Sequence, residues 1–495
     1  MRRISLIGLL ATLPLVGCSS DKDDDGHDTG HVDTGDTESD TDTDTDTDTD
    51  TDTDTDTDTD VDVPDSYEFE SALSPGESGV SYSGQVFRHL LMSDMKAALG
   101  VLTDMVDANP GMYAQPGTIK DYLWGVYWTG DLLDGSRPHL LSFSGDALQT
   151  NYDDVSSGKN LQGKIAGNDS ATDYKDWTGG DFAGWNAPSP EALVEAWLDM
   201  LDANVVSYAN GGDLTGIDGS PVGSVYLTSE GHDLQQLIQK FQGVAIAFHQ
   251  AADDYTDDDV DGKGLKADHI EAYKGTNPYT ALEHAWDEAF GYFGAARAYG
   301  QWTDDENKAA SKGYDTDGDG FIDLKTEVNW GHSVNCAKRD LGAIAATDLT
   351  GDAWAGFTLG RQLLAETAGT ALTEAQMDEL KGYRDQAIGA WEKAIAATAI
   401  HYVNDSLQDL NSADLDAADL AKHWSELKGF ALAFQFNPRS PMSSADFVKL
   451  HNLIGEAPSL DESYKADLIE ARALMGTAYS FDSANLGDDN GENGW

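Results

Sequence analysis

The sequence is poor in cysteine, with only Cys18 and Cys336 in 495 residues. If Cys18 carries lipid, Cys336 is the one remaining thiol, and no intramolecular disulfide can form. A lone cysteine in an oxidising compartment is typically buried and inert. The cysteine content therefore excludes a disulfide-stabilised scaffold, and the fold has to rely on an apolar core.

Basic residues are also scarce. The chain has 30 Lys and Arg against 89 Asp and Glu, which gives a formal net charge of −59. A surface this acidic repels nucleic acid and anionic lipid head groups. The composition therefore predicts no nucleic-acid partner, and it suits a salt-rich environment or a site for cations.

Long apolar runs are missing except at the N-terminus. Residues 4–16 follow Arg2 and Arg3 and read as a secretory signal. The run is too short for a permanent membrane helix, which needs about 20 apolar residues. Leu15-Val16-Gly17-Cys18 resembles a lipobox, the motif at which a lipoprotein signal is cut.

Residues 1–17 are accordingly predicted to be a signal peptide, and Cys18 is predicted to be acylated with chains such as palmitate. Each buried methylene adds about 0.8 kcal/mol to membrane affinity, so several chains anchor stably. Ser19 follows in place of Asp, which among similar lipoproteins implies the outer membrane, facing either the periplasm or the cell surface. An ordinary secretory signal with an incidental cysteine is the alternative.

Residues 18–65 form a tether in this interpretation. Twenty-one acidic residues and one lysine lie between Ser19 and Asp65, and Thr-Asp alternates from Thr41 to Asp60. Because the segment has almost no apolar side chains and repels itself, it is predicted to be disordered and extended. Subtracting its −20 and the +2 of the signal arginines from −59 leaves −41 on residues 66–495.

Apolar residues at helical spacing dominate residues 66–495, so the sequence predicts an all-α fold of two packed helical bundles with a boundary near 300–350. Ser189-Pro190 and the capping boxes at Thr280 and Thr373 predict helix starts. Long Gly- and Asp-rich loops are predicted at 143–188 and 209–231. The predicted helices cover 85–105, 190–208, 234–252, 280–299, 373 to beyond 401, 419–436, 444–454 and 463–479.

Two predicted helices share the pattern W-x-E-x-x-G-aromatic, beginning at Trp286 and at Trp424, each with a histidine just upstream. The residues that could carry chemistry here are His284, Asp287, Glu288, His423 and Glu426. Residues three and four apart share a helix face, so each helix presents an imidazole with a carboxylate. If the helices face each other, this set suits iron, zinc or manganese. A buried hydrogen-bond network is the alternative. His332 is either an extra ligand or a loop histidine.

The sharpest local motif is an acidic loop of calcium type. The predicted ligands are the side chains of Asp315, Asp317, Asp319 and Asp323 and the backbone carbonyl of Phe321. Gly320 stands at the sixth position, as such loops require. The usual Glu at position 12 is replaced by Thr326, with Glu327 one residue later. The pattern therefore predicts a compact structural calcium loop, with an unoccupied acidic turn as the alternative.

A weaker version of the same motif begins at Asp257. Asp259, Asp261 and Gly262 follow the spacing, and Asp268 stands at position 12, but Leu265 occupies position 9. A second calcium loop and a solvated acidic loop are both compatible with this pattern.

Enzyme signatures are absent from the sequence. There is no H-E-x-x-H, no G-x-S-x-G and no phosphate-binding glycine loop. These absences favour binding over catalysis.

Several phrases together carry a resemblance to known proteins. They are Tyr67-Glu-Phe69-Glu70, Ser83-Gly-Gln85 with Arg88, Leu282-Glu-His284-Ala-Trp286-Asp-Glu288-Ala-Phe-Gly291, His423-Trp-Ser-Glu426-Leu-Lys-Gly429-Phe430 and Asn437-Pro438. The chain resembles an uncharacterised family of bacterial envelope lipoproteins, which is itself similar to the imelysin-like group of two-bundle proteins linked to iron acquisition.

That resemblance implies a G-x-H-x-x-E motif. Here His423 and Glu426 keep the spacing, but Ala421 stands where the glycine belongs, and His284 has Asp287 at the acidic position. The predicted function is a non-catalytic envelope binding protein, serving iron or another transition metal. The alternatives are a calcium-stabilised adhesion or interaction module and, third, a metallopeptidase.

Overall fold

The computed structural model describes residues 62–168 and 172–495. The predicted signal peptide, the acylated Cys18 and the tether up to residue 61 lie outside the described residues. Residues Val63–Trp495 form one compact unit.

Ten helices of nine or more residues form the framework of the described chain. They are α1 (Ser83–Gly100), α2 (Pro190–Ala209), α3 (Leu234–Gln242), α4 (Ala281–Phe293), α5 (His332–Leu341), α6 (Leu349–Thr367), α7 (Glu374–Asn411), α8 (Ala417–Ala431), α9 (Ser444–Ile454) and α10 (Tyr464–Ala478). The described residues contain no strand, only isolated bridges such as Glu70 with Ser78. The all-α prediction is confirmed.

Shorter helical segments connect this framework. The α-helical ones are Leu102–Ala108, Pro110–Tyr113, Thr118–Leu123, Tyr152–Val155 and Asp304–Ala309. The π-helical ones are Trp124–Trp128, Gly243–Phe248 and Gln250–Tyr255. The 3₁₀ segments are Gln162–Lys164, Gly264–Lys266, Tyr273–Gly275, Tyr299–Gln301, Ala310–Lys312, Leu432–Gln435 and Ser483–Asn485.

The predicted helix starts are confirmed where a capping residue marks them. Ser189 accepts the backbone N–H of Ala192 at the start of α2. Thr280 and Thr373 each form a complete capping box with the residue three positions on. These side chains satisfy N–H groups that the first helical turn leaves without a backbone partner, which is why they fix the starts so well.

Helix ends differ more from the prediction. The helix predicted over 280–299 ends at Phe293, because Gly294 follows with a φ of 87°. A Cβ on that glycine would lie 2.4 Å from the Trp330 carbonyl oxygen, so the close approach requires glycine. The helix predicted over 234–252 is α-helical only to Gln242 and continues as two π-helical segments to Tyr255.

The long helix α7 organises the packing of the second half of the chain, where it contacts α5, α6, α8 and α10. In the first half, α1 contacts both α3 and α4. The halves meet where α3 packs on α8 and α4 on α6, within the single compact unit. The two-bundle division near 300–350 stays a prediction. No helix among the described residues is both long and apolar enough to cross a bilayer.

Candidate metal centre

Asp287, one of the five predicted transition-metal ligands, lies in a buried network. Arg361 Nε donates to its Oδ1 over 2.8 Å, and the Tyr67 hydroxyl donates to the same oxygen over 3.0 Å. The Ser81 N–H donates to Oδ2. Both carboxylate oxygens are therefore occupied by protein donors.

Arg361 completes that network. Its Nη1 donates to Glu283 Oε1 over 2.9 Å, and its Nη2 donates to the Gly79 carbonyl over 2.8 Å. The side chains of Arg361, Glu283 and Asp287 are 0–2% exposed. Burial raises the pKa of Asp287, and the guanidinium opposes that shift. Asp287 thus fits the alternative of a structural network.

His284 and Glu288 lie near each other but with other partners. His284 Nε2 is 3.8 Å from Glu288 Oε1, while Gln85 Nε2 donates to that same oxygen over 2.8 Å. The imidazole lies 5.0 Å, between ring centroids, from both Tyr273 and Tyr279. This pair lines a cavity together with the start of α1.

His423 and Glu426 also separate. His423 Nδ1 lies 2.8 Å from Asp409 Oδ2. Glu426 Oε1 instead accepts from the Tyr402 hydroxyl over 2.9 Å and lies 3.1 Å from Lys240 Nζ.

The five residues predicted as one site are therefore not brought together. No group of three His, Cys, Asp or Glu ligand atoms within 4.8 Å of one another in the described chain includes any of them. His332 is not a loop residue, since it begins α5 and is buried. Burial lowers its pKa to about 3.

The acidic loop at Asp315 folds around its own backbone. Asp315 accepts N–H groups from Gly318 and Gly320 over 2.8 and 3.0 Å. Ligand atoms of Asp315, Asp317 and Glu327 lie within 4.8 Å of one another. Glu327, one position later than usual, is thus placed where the missing ligand of position 12 was expected. The calcium ion itself stays a prediction.

Two of the other predicted calcium ligands have protein partners. Asp323 Oδ1 accepts from Gln149 Nε2 over 2.9 Å. Asp319 Oδ1 accepts the Phe321 N–H over 2.8 Å. The residue between Phe321 and Asp323 also connects the loop to another part of the chain, since Ile322 forms a parallel bridge with Ala147. The acidic loop is therefore attached to the start of the Gly- and Asp-rich segment at 143–188 through this bridge.

In the weaker motif, Asp257 and its neighbour Asp258, which is not one of the predicted ligands, form ion pairs with basic side chains of the protein. Arg439 Nη1 is 2.8 Å from Asp257 Oδ1. Asp258 pairs with Lys381 at 2.7 Å and with Arg384 at 3.0 Å. The geometry here favours the acidic-loop interpretation over a second calcium loop.

A cluster that the sequence analysis missed lies beside the π-helical stretch. His249 Nε2 is 2.9 Å from Asp173 Oδ1, and His249 Nδ1 is 3.7 Å from Asp253 Oδ2. One ligand atom from each of the three residues lies within 4.8 Å of the other two. We call these residues the Asp173–His249–Asp253 cluster.

The cluster is buried and incompletely hydrogen-bonded. Its side chains are 0–2% exposed. Among the described residues, His249 Nδ1 and Asp253 Oδ1 have no hydrogen-bond partner. Burial raises the pKa of Asp253 to about 7. Burial lowers the pKa of His249, but the hydrogen bond to Asp173 and the nearby carboxylates outweigh this effect and raise the pKa overall.

Local backbone geometry explains the arrangement. His249 and Asp253 are four residues apart around the π-helical segment Gln250–Tyr255, and the Tyr174 N–H holds Asp253 Oδ2 over 3.1 Å. Wide π turns often occur at functional sites. The spacing H-x-x-x-D was visible in the sequence, but the helix predicted over 234–252 stopped one residue before Asp253.

One imidazole nitrogen and two carboxylate oxygens form a donor set suited to iron, zinc or manganese. The same three groups can also exist without metal, as an imidazolium between two carboxylates. The two states differ in whether His249 Nδ1 and Asp253 Oδ1, which have no hydrogen-bond partner among the described residues, gain a bonding partner.

Comparison with known proteins identifies one family. A family described as "Domain of unknown function (DUF4856)" matches residues 191–451. No curated protein and no solved structure matches the chain. The matched region includes His249, Asp253 and the Asp315 loop, whereas Asp173 precedes it. The match spans more than half of the chain, which therefore belongs to the DUF4856 domain family.

Proposed function

We propose that this protein is a non-catalytic binding protein of the bacterial cell envelope that holds a transition-metal ion at the Asp173–His249–Asp253 cluster. The observation that carries the proposal is the set of three buried ligand atoms within 4.8 Å of one another, with no hydrogen-bond partner for His249 Nδ1 or Asp253 Oδ1 in the described part of the chain. Lipid anchoring through Cys18 at the outer membrane belongs to the same proposal and rests on the signal sequence.

The physical argument concerns the atoms left without partners. A buried polar atom without a hydrogen bond destabilises a protein by roughly 1–3 kcal/mol, and a buried charge by more. A divalent ion would supply a partner to these atoms and would neutralise both carboxylates. The resemblance to imelysin-like proteins, which are linked to iron acquisition, agrees with this chemistry.

The test is the metal content of the full chain purified without chelator, measured by elemental mass spectrometry. We expect about one equivalent of iron, zinc or manganese in the wild type and a large loss in Asp253→Asn. The matched control is His423→Gln, which removes another histidine paired with an aspartate, at 2.8 Å. Equal metal content in wild type and Asp253→Asn would overturn the proposal.

A second measurement separates loss of metal from loss of fold. The wild type is stripped with chelator and titrated with Zn²⁺ and Mn²⁺ by calorimetry, with circular dichroism confirming the helical content before each titration. Saturable binding at one site that His249→Gln abolishes, with helicity kept, supports the centre. A helical apoprotein that binds neither ion contradicts it.

A calcium-stabilised interaction module is the second candidate, favoured by the convergence of Asp315, Asp317 and Glu327. In this proposal calcium stiffens the loop that Ile322 joins to Ala147. The two proposals are compatible, because they concern different residues: Asp315 and Asp317 of the loop are exposed, whereas the cluster at His249 is buried. A metallopeptidase is disfavoured by that burial, since a substrate carbonyl has to reach the ion.

A further inference from the structure

A cavity of about 690 Å³ lies between the start of α1, the α4 helix and the loops around residues 156–164 and 262–279. Its basic lining residues are Arg88, Lys159, Lys164, Lys263 and Lys274. Its acidic ones are Asp254 and Glu288, which gives the lining a formal charge of +3. This charge is opposite to that of the chain, in which acidic residues outnumber basic ones by 89 to 30.

Arg88 is the most informative of these cations. It is 8% exposed, and its guanidinium donates to the carbonyl oxygens of Asn160 and Gly84 over 2.9 and 3.2 Å. It forms no ion pair with any carboxylate among residues 62–168 and 172–495. A buried charge is normally paired with an opposite charge. The described residues provide no carboxylate partner for this guanidinium, so that role is open to an anionic ligand.

Glu288, one of the two acidic residues of the cavity, accepts a hydrogen bond from a neutral donor. Glu288 accepts from Gln85 Nε2 over 2.8 Å. Asp254 accepts from Gln250 Nε2 over 2.5 Å and from the Thr172 hydroxyl. Glu288 forms no ion pair with a lysine or an arginine among the described residues, so it does not neutralise the cations around it.

The first turn of α1 opens on the same cavity. Ser83 and Gly84 line it, and the N-cap residue Tyr82 provides no side-chain hydrogen bond to the turn. The N–H groups at a helix start and the helix dipole favour an anion. A Cβ on Gly84 would lie 3.2 Å from Lys159 Cε and 3.7 Å from Arg88 Nη1, so the glycine lets both cationic side chains lie close to this turn.

Backbone strain and aromatic side chains complete the cavity. Lys274 has a φ of 51°, a left-handed conformation that a lysine rarely adopts and that places it in the lining. Strain of this kind concentrates at functional sites. Tyr273 and Tyr279 flank His284 and add polar edges to the wall.

We propose that this cavity binds a small, multiply charged oxyanion, a compound that bears phosphate or several carboxylates. Arg88 and the first turn of α1 hold the oxyanion group, and Lys159, Lys263 and Lys274 hold the remaining charge. The proposal goes beyond the metal centre, because none of its lining residues belongs to the Asp173–His249–Asp253 cluster.

Calorimetric titration of the full chain with inorganic phosphate, pyrophosphate and citrate at constant ionic strength tests the proposal. We expect saturable binding of at least one of them, and the three probes distinguish phosphate from polycarboxylate chemistry. Arg88→Met should weaken it at least about 10-fold, because a charge-assisted hydrogen bond is lost. Lys159→Gln, at a more exposed position, should weaken it about 2- to 5-fold.

The matched control is Lys120→Gln, a lysine paired with Glu195 and Asp199 outside the cavity, which should bind like the wild type. Lys159→Gln also protects the test against misfolding of the Arg88 variant. Absence of saturable binding to the wild type, or equal affinity in wild type and both cavity variants, would overturn the proposal.

Discussion

Two buried groups of carboxylates show how differently the same residue types can be used. At one, Glu283 and Asp287 share Arg361, and the guanidinium donates to both. At the other, Asp173 and Asp253 share only His249, and atoms of His249 and Asp253 have no hydrogen-bond partner. The first group has its counter-ion built into the chain, whereas the second lacks one with a permanent charge.

The difference shows which cluster is structural and which can accept an ion. A guanidinium stays protonated at every physiological pH, so the Arg361 group is complete in one state. An imidazole changes its charge near neutrality, so the His249 group has alternative states that depend on protons or metal. Because Arg361 already donates to both carboxylates of the first group, no position remains there for a ligand.

Replacing Arg361 should have the largest effect. Arg361→Met leaves Glu283 and Asp287 buried without a counter-charge, so we expect the free energy of unfolding to fall by about 3–5 kcal/mol. Denaturant unfolding measures the change. Lys381→Met is the control, because Lys381 and its partner Asp258 are both part-exposed, and it should lose about 1 kcal/mol or less. Equal losses in the two variants would contradict the comparison.

The pH dependence of the metal-free chain tests the other group. Asp253 has a usual pKa of 3.8 and a pKa of about 7 in the folded chain. A raised pKa means that stability present below pH 3.8 is lost as pH rises through 7. A shift of one pKa unit corresponds to about 1.4 kcal/mol, so ionisation of Asp253 should lower the free energy of unfolding by a few kcal/mol.

Urea unfolding in chelator at pH 5, 6, 7 and 8 measures that contribution. The wild type should be less stable at pH 8 than at pH 5, and Asp253→Asn should show a shallower dependence, because the amide does not ionise. Asp461→Asn, at an exposed acid far along the chain, should keep the wild-type slope. Identical slopes for wild type and Asp253→Asn would show that this carboxylate titrates normally.

The Asp315 loop extends the comparison to an exposed acidic group. Calcium at 100 times its dissociation constant should stabilise the chain by about 2.7 kcal/mol. For a unit of this size that corresponds to a rise in Tm of about 3 °C. Glu327→Gln should remove most of the rise, measured by calorimetry with calcium against EDTA. A wild-type Tm that ignores calcium would mean the loop folds without it.

The smallest effect is expected at the weaker acidic motif. Asp257 and Asp258 already pair with Arg439, Lys381 and Arg384. Asp261→Asn should therefore leave the number of calcium ions bound per chain unchanged in equilibrium dialysis. A loss of one equivalent would show that a second calcium loop exists there.

Local signals in the sequence were enough to predict the all-α fold and several helix starts, because capping is decided by residues within one turn. The repeated W-x-E-x-x-G pattern has a structural explanation in both copies. A Cβ on Gly291 would lie 2.6 Å from Tyr82 Cβ, and one on Gly429 would lie 2.6 Å from Lys240 Cβ. These glycines mark close helix crossings at equivalent positions.

The site could not be predicted in the same way, because distant residues decide it. Arg361 lies 74 positions from Asp287 and takes its carboxylate. Asp173 lies 76 positions from His249, in a segment without helical periodicity. The histidines His284 and His423 are offset by one residue relative to the shared pattern, and on a helix that offset turns the side chain by about 100°.

The π-helical stretch from Gly243 to Tyr255 has a consequence for length variation. A π turn closes its backbone hydrogen bond over five residues instead of four, so it holds more residues than an α turn. Removing a single residue between His249 and Asp253 would turn the aspartate about 100° relative to the imidazole. The spacing of the cluster is thus encoded in the number of residues as much as in their identity. Relatives that keep both residues but differ by one position between them should not bring the two side chains together.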